Sequence, residues 1–353
     1  MGRITLVIAD TDEEYVERIV NYLMSEHSHK FQVNSFTKQE ILINYLNDTT
    51  KKVDVLLISP SMMSNSIPEN KAEVIILLTS GNIASNSKDY ECVNKYQHAE
   101  RFVSNILDIF SEKNSNEIYL ASGSKQAKVI AVYSPVGGVG KTTVAVSASI
   151  QYALKGFSVF YLNLESIQST PLFFNCDSVQ NLSKVLFYLK ENNKNPGIKI
   201  EGAKLIDEET NIHYFTPPDS ALEMEEITGE ELKRLISHLK MSGCYDFIFV
   251  DMSSNFDHEN ISILECCNEV LLVFSQDRLS EIKASLLNKE FKILNAKNSL
   301  DITNKAKVVV NKWDGQSDFK IESLNMGEYM CKIPIFPQPF DIKELAGLFS
   351  INI

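Results

Sequence analysis

The residues best placed to do chemistry lie in one run, Tyr133-Ser134-Pro135-Val136-Gly137-Gly138-Val139-Gly140-Lys141-Thr142-Thr143. Three of the 14 glycines in the chain fall within four positions there. Glycine has no Cβ, so successive backbone N–H groups can converge on an anion without obstruction. The run follows the apolar stretch Val129-Ile130-Ala131-Val132 and precedes a helical pattern, whose N-terminus adds partial positive charge. In such a loop Lys141 reaches the β- and γ-phosphates of a nucleotide and the Thr142 hydroxyl holds Mg²⁺. Gly137, Gly138, Val139, Gly140, Lys141, Thr142 and Thr143 are therefore candidate nucleotide-binding residues. One departure stands out. The general form G-x-x-x-x-G-K-[ST] places glycine at position 135, where this chain has Pro135.

A second signal is Phe247-Ile248-Phe249-Val250-Asp251, four apolar residues ending in a carboxylate. An acid at the C-terminal end of a central strand can hold the Mg²⁺ shell through water. Downstream of a phosphate loop, the pattern marks Asp251 as a metal-site candidate beside Thr142. Further on, Val308-Val309-Val310-Asn311-Lys312-Trp313-Asp314 has the order of the N-K-x-D guanine-reading motif, which keeps a GTPase reading through Asp314 open.

Elements must position these groups. Strand-like runs alternate with helical patterns almost throughout, which argues for α/β folds with parallel sheets. At 353 residues the chain suits two domains at roughly 150 residues each. The first third reads as strands over 5–9, 32–35, 53–59, 74–79 and 92–95, with helices near 12–26, 37–47 and 98–112. The polar stretch from Ser111 to Glu117 reads as a linker, followed by the ambiguous Ile118–Ala121. Beyond it come strands over 128–133, 158–164, 212–216, 246–250, 269–274 and 306–310. Helices are expected over 141–155, 179–192, 229–241 and 278–296, a polar stretch over 191–203, and a Pro-rich end. The expected division is 1–113, a linker 114–125, and 126–353.

Composition narrows the function. The chain is 44% hydrophobic and 23% charged, ordinary for a globular protein. Its 34 Lys and Arg against 46 Asp and Glu give a net charge of −12. Polyanions such as nucleic acid or anionic lipid are therefore disfavoured partners. The acidic excess is spread over both parts, −5 in 1–113 and −7 in the remainder. The six cysteines show no C-x-x-C spacing, and Cys266-Cys267 suits neither an ordinary disulfide nor a tetrahedral metal site. They read as reduced thiols of a cytoplasmic protein. No apolar run is long enough to span a membrane. The segment from Asp341 to Phe349 lacks the basic face of a membrane-surface helix, although peripheral association is left open.

The string Gly137-Gly138-Val139-Gly140-Lys141-Thr142-Thr143 resembles the deviant phosphate loop of the MinD/ParA family, K-G-G-V-G-K-T-T. The leading lysine of that family reaches across a dimer to the partner's nucleotide, and here Val136 stands in its place. The strand Val159–Leu164 ends where the family has D-x-D; Asn163 replaces the first acid and Glu165 matches the second, which the resemblance makes the water-positioning catalytic residue beside Lys141. The resemblance also implies that Asn311 contacts the base and that the segment around Pro334 lies on the adenine side, so it favours ATP over GTP.

The first third resembles a response-regulator receiver, with Asp10 and Asp12 near the acid pair, Thr79 on the fourth strand and Lys95 on the fifth. The position of the phosphoacceptor aspartate is Ser59, and without a carboxylate no acyl phosphate can form. A receiver followed by a MinD-like domain resembles the CpaE/TadZ family, the localisation factors of Tad (Flp) pilus assembly. That resemblance implies two doubly wound parallel-sheet domains, flavodoxin-like then P-loop. It implies ATP and Mg²⁺ as ligands, a homodimer, slow hydrolysis, and a docking receiver. Its partners would be pilus assembly proteins or a landmark at the cell pole. A fully active partitioning-type ATPase is the alternative.

Overall fold

The structure is a computed structural model that describes residues 3–28, 30–48, 50–81, 90–113, 126–178, 180–190, 196–298, 301–315, 326–336 and 342–348. The linker 114–125, with Ile118–Ala121, lies outside the described residues.

The chain divides into two compact units, 1–122 with 193–202, and 123–192 with 203–353. The first unit runs β1 (Ile4–Ala9), α1 (Glu13–Glu26), β2 (Phe31–Phe36), α2 (Gln39–Asn47), β3 (Val53–Ile58), β4 (Ala72–Thr79), β5 (Glu91–Asn94) and α3 (Ala99–Lys113). Its five strands are parallel in the order β2-β1-β3-β4-β5, the flavodoxin-like arrangement expected from the sequence. All six residues of β3 are buried, as a central parallel strand covered on both faces requires. Val16, Ile19 and Leu23 of α1 and Phe102, Ile106 and Phe110 of α3 pack on one face of the sheet. Leu42 and Leu46 of α2 pack on the other. Asp12 starts α1 by accepting the Tyr15 N–H at 3.1 Å.

The second unit opens with β6 (Lys128–Tyr133), α4 (Lys141–Leu154), β7 (Val159–Asn163) and α5 (Leu182–Lys190). The next helix, α6 (Pro196–Ala203), is followed by β8 (Leu205–Ile206), β9 (His213–Tyr214), α7 (Leu222–Glu225) and α8 (Gly229–Met241). The chain then forms β10 (Phe247–Asp251), α9 (His258–Cys266), β11 (Glu269–Ser275), α10 (Arg278–Asn298) and α11 (Ile302–Lys305). It ends with β12 (Ala306–Trp313), β13 (Glu328–Pro334) and α12 (Ile342–Leu348). The strand order is β13-β12-β11-β6-β10-β7-β9-β8, parallel except for the pair β8–β9. α4 buries nine residues, far more than a one-sided stripe, because it lies over the central strands. α8 begins with a full capping box between Thr228 and Glu231.

One segment departs from the expected layout. The stretch 191–203 reads as polar, yet Pro196–Ala203 is helical, and 193–202 packs with the first unit rather than the second. Lys199, its side chain 2% exposed, pairs with Asp108 of α3 at 2.9 Å. Lys30 donates to the Glu201 carbonyl at 3.1 Å. Burial here rests on paired charges, which hydrophobic periodicity does not register.

Candidate functional site

The second sheet brings three strand ends into line. Asp251 on β10 lies opposite Val132 on β6 and Asn163 on β7. The phosphate loop leaves β6 at that edge, the site where open α/β sheets bind ligands.

Two glycines give the loop its shape. Gly138 has φ +74° and Gly140, the N-cap of α4, has φ +90°. A Cβ at Gly137 or Gly138 would meet nothing within 4 Å, so space is open in front of the loop. A Cβ at Gly140 would collide with the Asn311 amide, which would have to leave the Val139 carbonyl, and the positive φ itself favours glycine there.

Three side chains from distant elements hold the outer side of the loop. Asn311 Nδ2 donates to the Val139 carbonyl at 2.7 Å, and Lys312 Nζ to the Gly138 carbonyl at 2.7 Å. Lys283 of α10 donates to the Pro135 carbonyl at 2.7 Å. In a planar trans peptide the carbonyl and the following N–H point opposite ways. Tying down the carbonyls of Gly138 and Val139 therefore turns the N–H groups of Val139 and Gly140 away from those side chains, leaving them available to an anion.

Val136 faces the other way. Its side chain is 3% exposed and belongs to the apolar core of the second unit. Its N–H donates to Ser134 Oγ at 3.1 Å.

The carboxylates form a chain across the strand ends. Tyr161 donates to Asp251 Oδ2 at 2.9 Å, Asn163 Nδ2 to the Tyr161 oxygen at 3.3 Å, and Ser169 Oγ to Glu165 Oε2 at 3.1 Å. Asn163 Oδ1 also accepts the Glu165 N–H at 2.8 Å. Burial pushes the Asp251 carboxyl up to about 7, and the nearby charge of Glu165 adds to this. Thr142, Tyr161 and Lys141 pull the other way. Burial and the neighbouring Asp251 carboxylate raise the Tyr161 phenol well above its ordinary range. Lys141 Nζ donates to Ser254 Oγ at 2.7 Å, just past the end of β10.

Asp251 Oδ1 is buried with no hydrogen-bond partner. An orphaned carboxylate oxygen beside Thr142 and Lys141, at the mouth of an open glycine loop, fits a hydrated Mg²⁺ and a nucleotide polyphosphate. When bound, such a pair supplies charge neutralisation at the phosphate oxygens.

The structure thus brings Lys141, Thr142, Asp251 and Glu165 together and sets Asn311 against Gly140. Pro334 is exposed at the end of β13 opposite Trp313. Lys283 and Tyr161 went unnoticed in the sequence, and Lys312 was read there only as part of the N-K-x-D order and not as a tether of the loop; each role depends on contacts between distant segments.

In the first unit, Lys95 pairs with Asp10 at 2.6 Å and lies 3.8 Å from Asp12, with the Tyr15 ring centroid 4.6 Å away. Ser59 and Ser61 share a hydrogen bond at 2.9 Å. Thr79 donates to the Val93 carbonyl at 3.4 Å. All six cysteines are free, and burial raises the Cys267 thiol above its usual range. No cluster of three metal-ligating residues occurs among the described residues, and none of the described helices is long and apolar enough to cross a membrane.

These features define a P-loop nucleotide-binding α/β unit joined to a receiver-type unit. Residues 2–111 match the family described as a TadZ-like receiver domain, and residues 127–303, half of the chain, match the family described as an AAA domain. The chain belongs to the CpaE/TadZ family, a receiver-like domain followed by a ParA/MinD-like ATPase domain. The solved structure of a ParA family ATPase from Chlorobium tepidum is 17% identical, covers 60% of this chain and 86% of its own, and superposes with a TM-score of 0.51, which shows a shared fold. A plasmid partition protein from Borrelia burgdorferi (19% identical, 63% and 95% covered) and the MinC:MinD cell division complex of Aquifex aeolicus (21%, 62% and 86%) both give a TM-score of 0.48. No curated protein matches the chain.

Proposed function

We propose that the chain is an ATP- and Mg²⁺-binding localisation factor of Tad pilus assembly that dimerises and hydrolyses ATP slowly. The observation that carries the nucleotide part is the buried, unpartnered Asp251 Oδ1 beside Lys141 and Thr142 at the open loop. Binding falls to residues 137–143, with Asn311 and Pro334 on the base side and Thr142 and Asp251 at the metal. Glu165, held by Ser169 and Asn163, is the group available to orient a water. The slow rate follows from Val136, whose buried apolar side chain brings no cation to the phosphates, where charge stabilisation carries orders of magnitude in rate. The assignment to pilus assembly, with a polar landmark or assembly proteins as partners, rests on family membership. The receiver unit would dock rather than signal, because Ser59 replaces the acceptor and Lys95 is engaged by Asp10.

Light scattering with and without Mg-ATP, run beside a hydrolysis assay, tests this reading. A nucleotide-dependent doubling of mass with turnover well below that of lysine-bearing ParA proteins is expected. A monomer at saturating Mg-ATP, or rapid turnover, would overturn it. In a competition titration, stronger displacement by GTP than by ATP would promote the guanine reading through Asp314.

A further inference from the structure

A second cavity lies in the second unit, between the loops that leave β7 and β10 and the helices α7, α8 and α9. Its volume is about 70 Å³. That is far below the roughly 300 Å³ at which small-molecule sites begin, so it suits one side chain and not a cofactor. The floor is apolar: Met224, Ile227, Leu232 and Ile263 line it, each at most 8% exposed. The rim is acidic, with Glu225, Asp257 and Glu259. Among the described residues, none of these three acids has a basic partner within ion-pair distance; Glu225 accepts only the Ser166 hydroxyl, and Asp257 caps α9. Residues adjoining the lining are apolar and exposed: Ile167 at 85%, Leu222 at 70% and Phe256 at 39%.

We propose that this pocket docks a basic segment of a partner protein. One lysine or arginine of that segment lays its stem on the apolar floor and its cation among Glu225, Asp257 and Glu259, while a neighbouring apolar residue covers Ile167, Leu222 or Phe256. Charge complementarity selects this occupant. A long cationic side chain is the residue type that matches an apolar floor and an anionic rim together. A wholly apolar side chain would desolvate three carboxylates without a counter-charge. The apolar rim residues supply the dry contact that a lone ion pair at a surface lacks. This inference does not depend on the nucleotide chemistry.

The test is a methyl-detected NMR titration of the full chain with an end-blocked hexapeptide carrying one arginine between two leucines in a glycine background. The expected result is saturable shifts of the Met224, Ile227 and Ile263 methyls, weakened by salt. Affinity should fall about tenfold when citrulline replaces the arginine, and likewise in the Glu225→Gln/Glu259→Gln variant. Asp257 is left intact because it caps α9. The control Glu208→Gln/Glu290→Gln changes net charge equally and should leave binding unchanged. No shift at millimolar peptide, equal binding of the citrulline peptide, or equal loss in the control would overturn the proposal. So would shifts at the same methyls on raising protein concentration alone, which would make the face a contact between copies.

Discussion

Replacing Asp251 by asparagine should change the stability of the second unit, in the absence of nucleotide, by an amount that depends on pH. The carboxyl of Asp251 titrates near 7 in the folded chain against 3.8 in its ordinary state. The folded state therefore binds more protons than the unfolded state between about pH 4 and 7. Stability contributed by the protonated form is lost as pH rises through that window, and above it the full cost of the buried charge is present. A shift of this size corresponds to about 4 kcal/mol at 1.36 kcal/mol per unit. By the same relation the cost is about 1.7 kcal/mol at pH 5 and about 4 kcal/mol near pH 8. Asparagine carries no charge, but its amide group lands where Oδ1 has no partner, which costs roughly 1–3 kcal/mol at any pH. Asp251→Asn should thus have little net effect near pH 5, where the two costs nearly cancel, and be stabilising near pH 8, a swing of about 3 kcal/mol. Urea denaturation at the two pH values, followed by the single tryptophan, Trp313 on β12, reads the second unit directly. An offset between parent and variant that is the same at both pH values would refute the reasoning. The same variant should lose Mg²⁺-dependent nucleotide affinity, so its stability and its binding should move in opposite directions.

Gly140→Ala should cost about 2–3 kcal/mol and weaken ATP at least tenfold, since the new Cβ forces Asn311 off the Val139 carbonyl at a residue with φ +90°; unchanged affinity in a fluorescent-nucleotide titration would count against the loop assignment. Val136→Lys should lower stability by about 2–4 kcal/mol, because it drives an ammonium group into an apolar core; a melting profile identical to the parent would show that the side chain can leave that core. Incubation with acetyl phosphate should yield no hydroxylamine-sensitive phosphoryl group, since Ser59 cannot form an acyl phosphate; label on Asp10, Asp12 or Asp54 in a peptide map would contradict this.

Much of the fold was legible because parallel strands buried on both faces read as short apolar runs, and all five strands of the first unit lie within two residues of their expected bounds. The phosphate loop was legible for a different reason: its chemistry is local, and glycine spacing followed by Lys141 and Thr142 has few other uses. What stayed hidden depends on distance along the chain. Lys283 reaches Pro135 across 148 positions and Lys312 reaches Gly138 across 174, and no periodicity encodes either. The burial of Val136 was equally invisible, since a loop valine carries no mark of which way it turns. β13 and α9 were missed because a Pro-rich end and a short, weakly amphipathic run resemble loops. The helix Pro196–Ala203 was missed because its buried positions include lysine and glutamate.

That helix has a consequence for the newborn chain. The first unit takes in residues 193–202 although its other residues end at 122, so the second-unit residues 123–192 are translated before the first can close. At roughly 5–20 residues per second, this is a delay on the order of ten seconds during which α3 waits on the ribosome with Asp108 unmatched by Lys199. An N-terminal fragment cut at 122 would carry that unfinished surface permanently. Synthesis order here runs against the usual sequence, in which the leading unit of a two-part chain is complete before the trailing one begins.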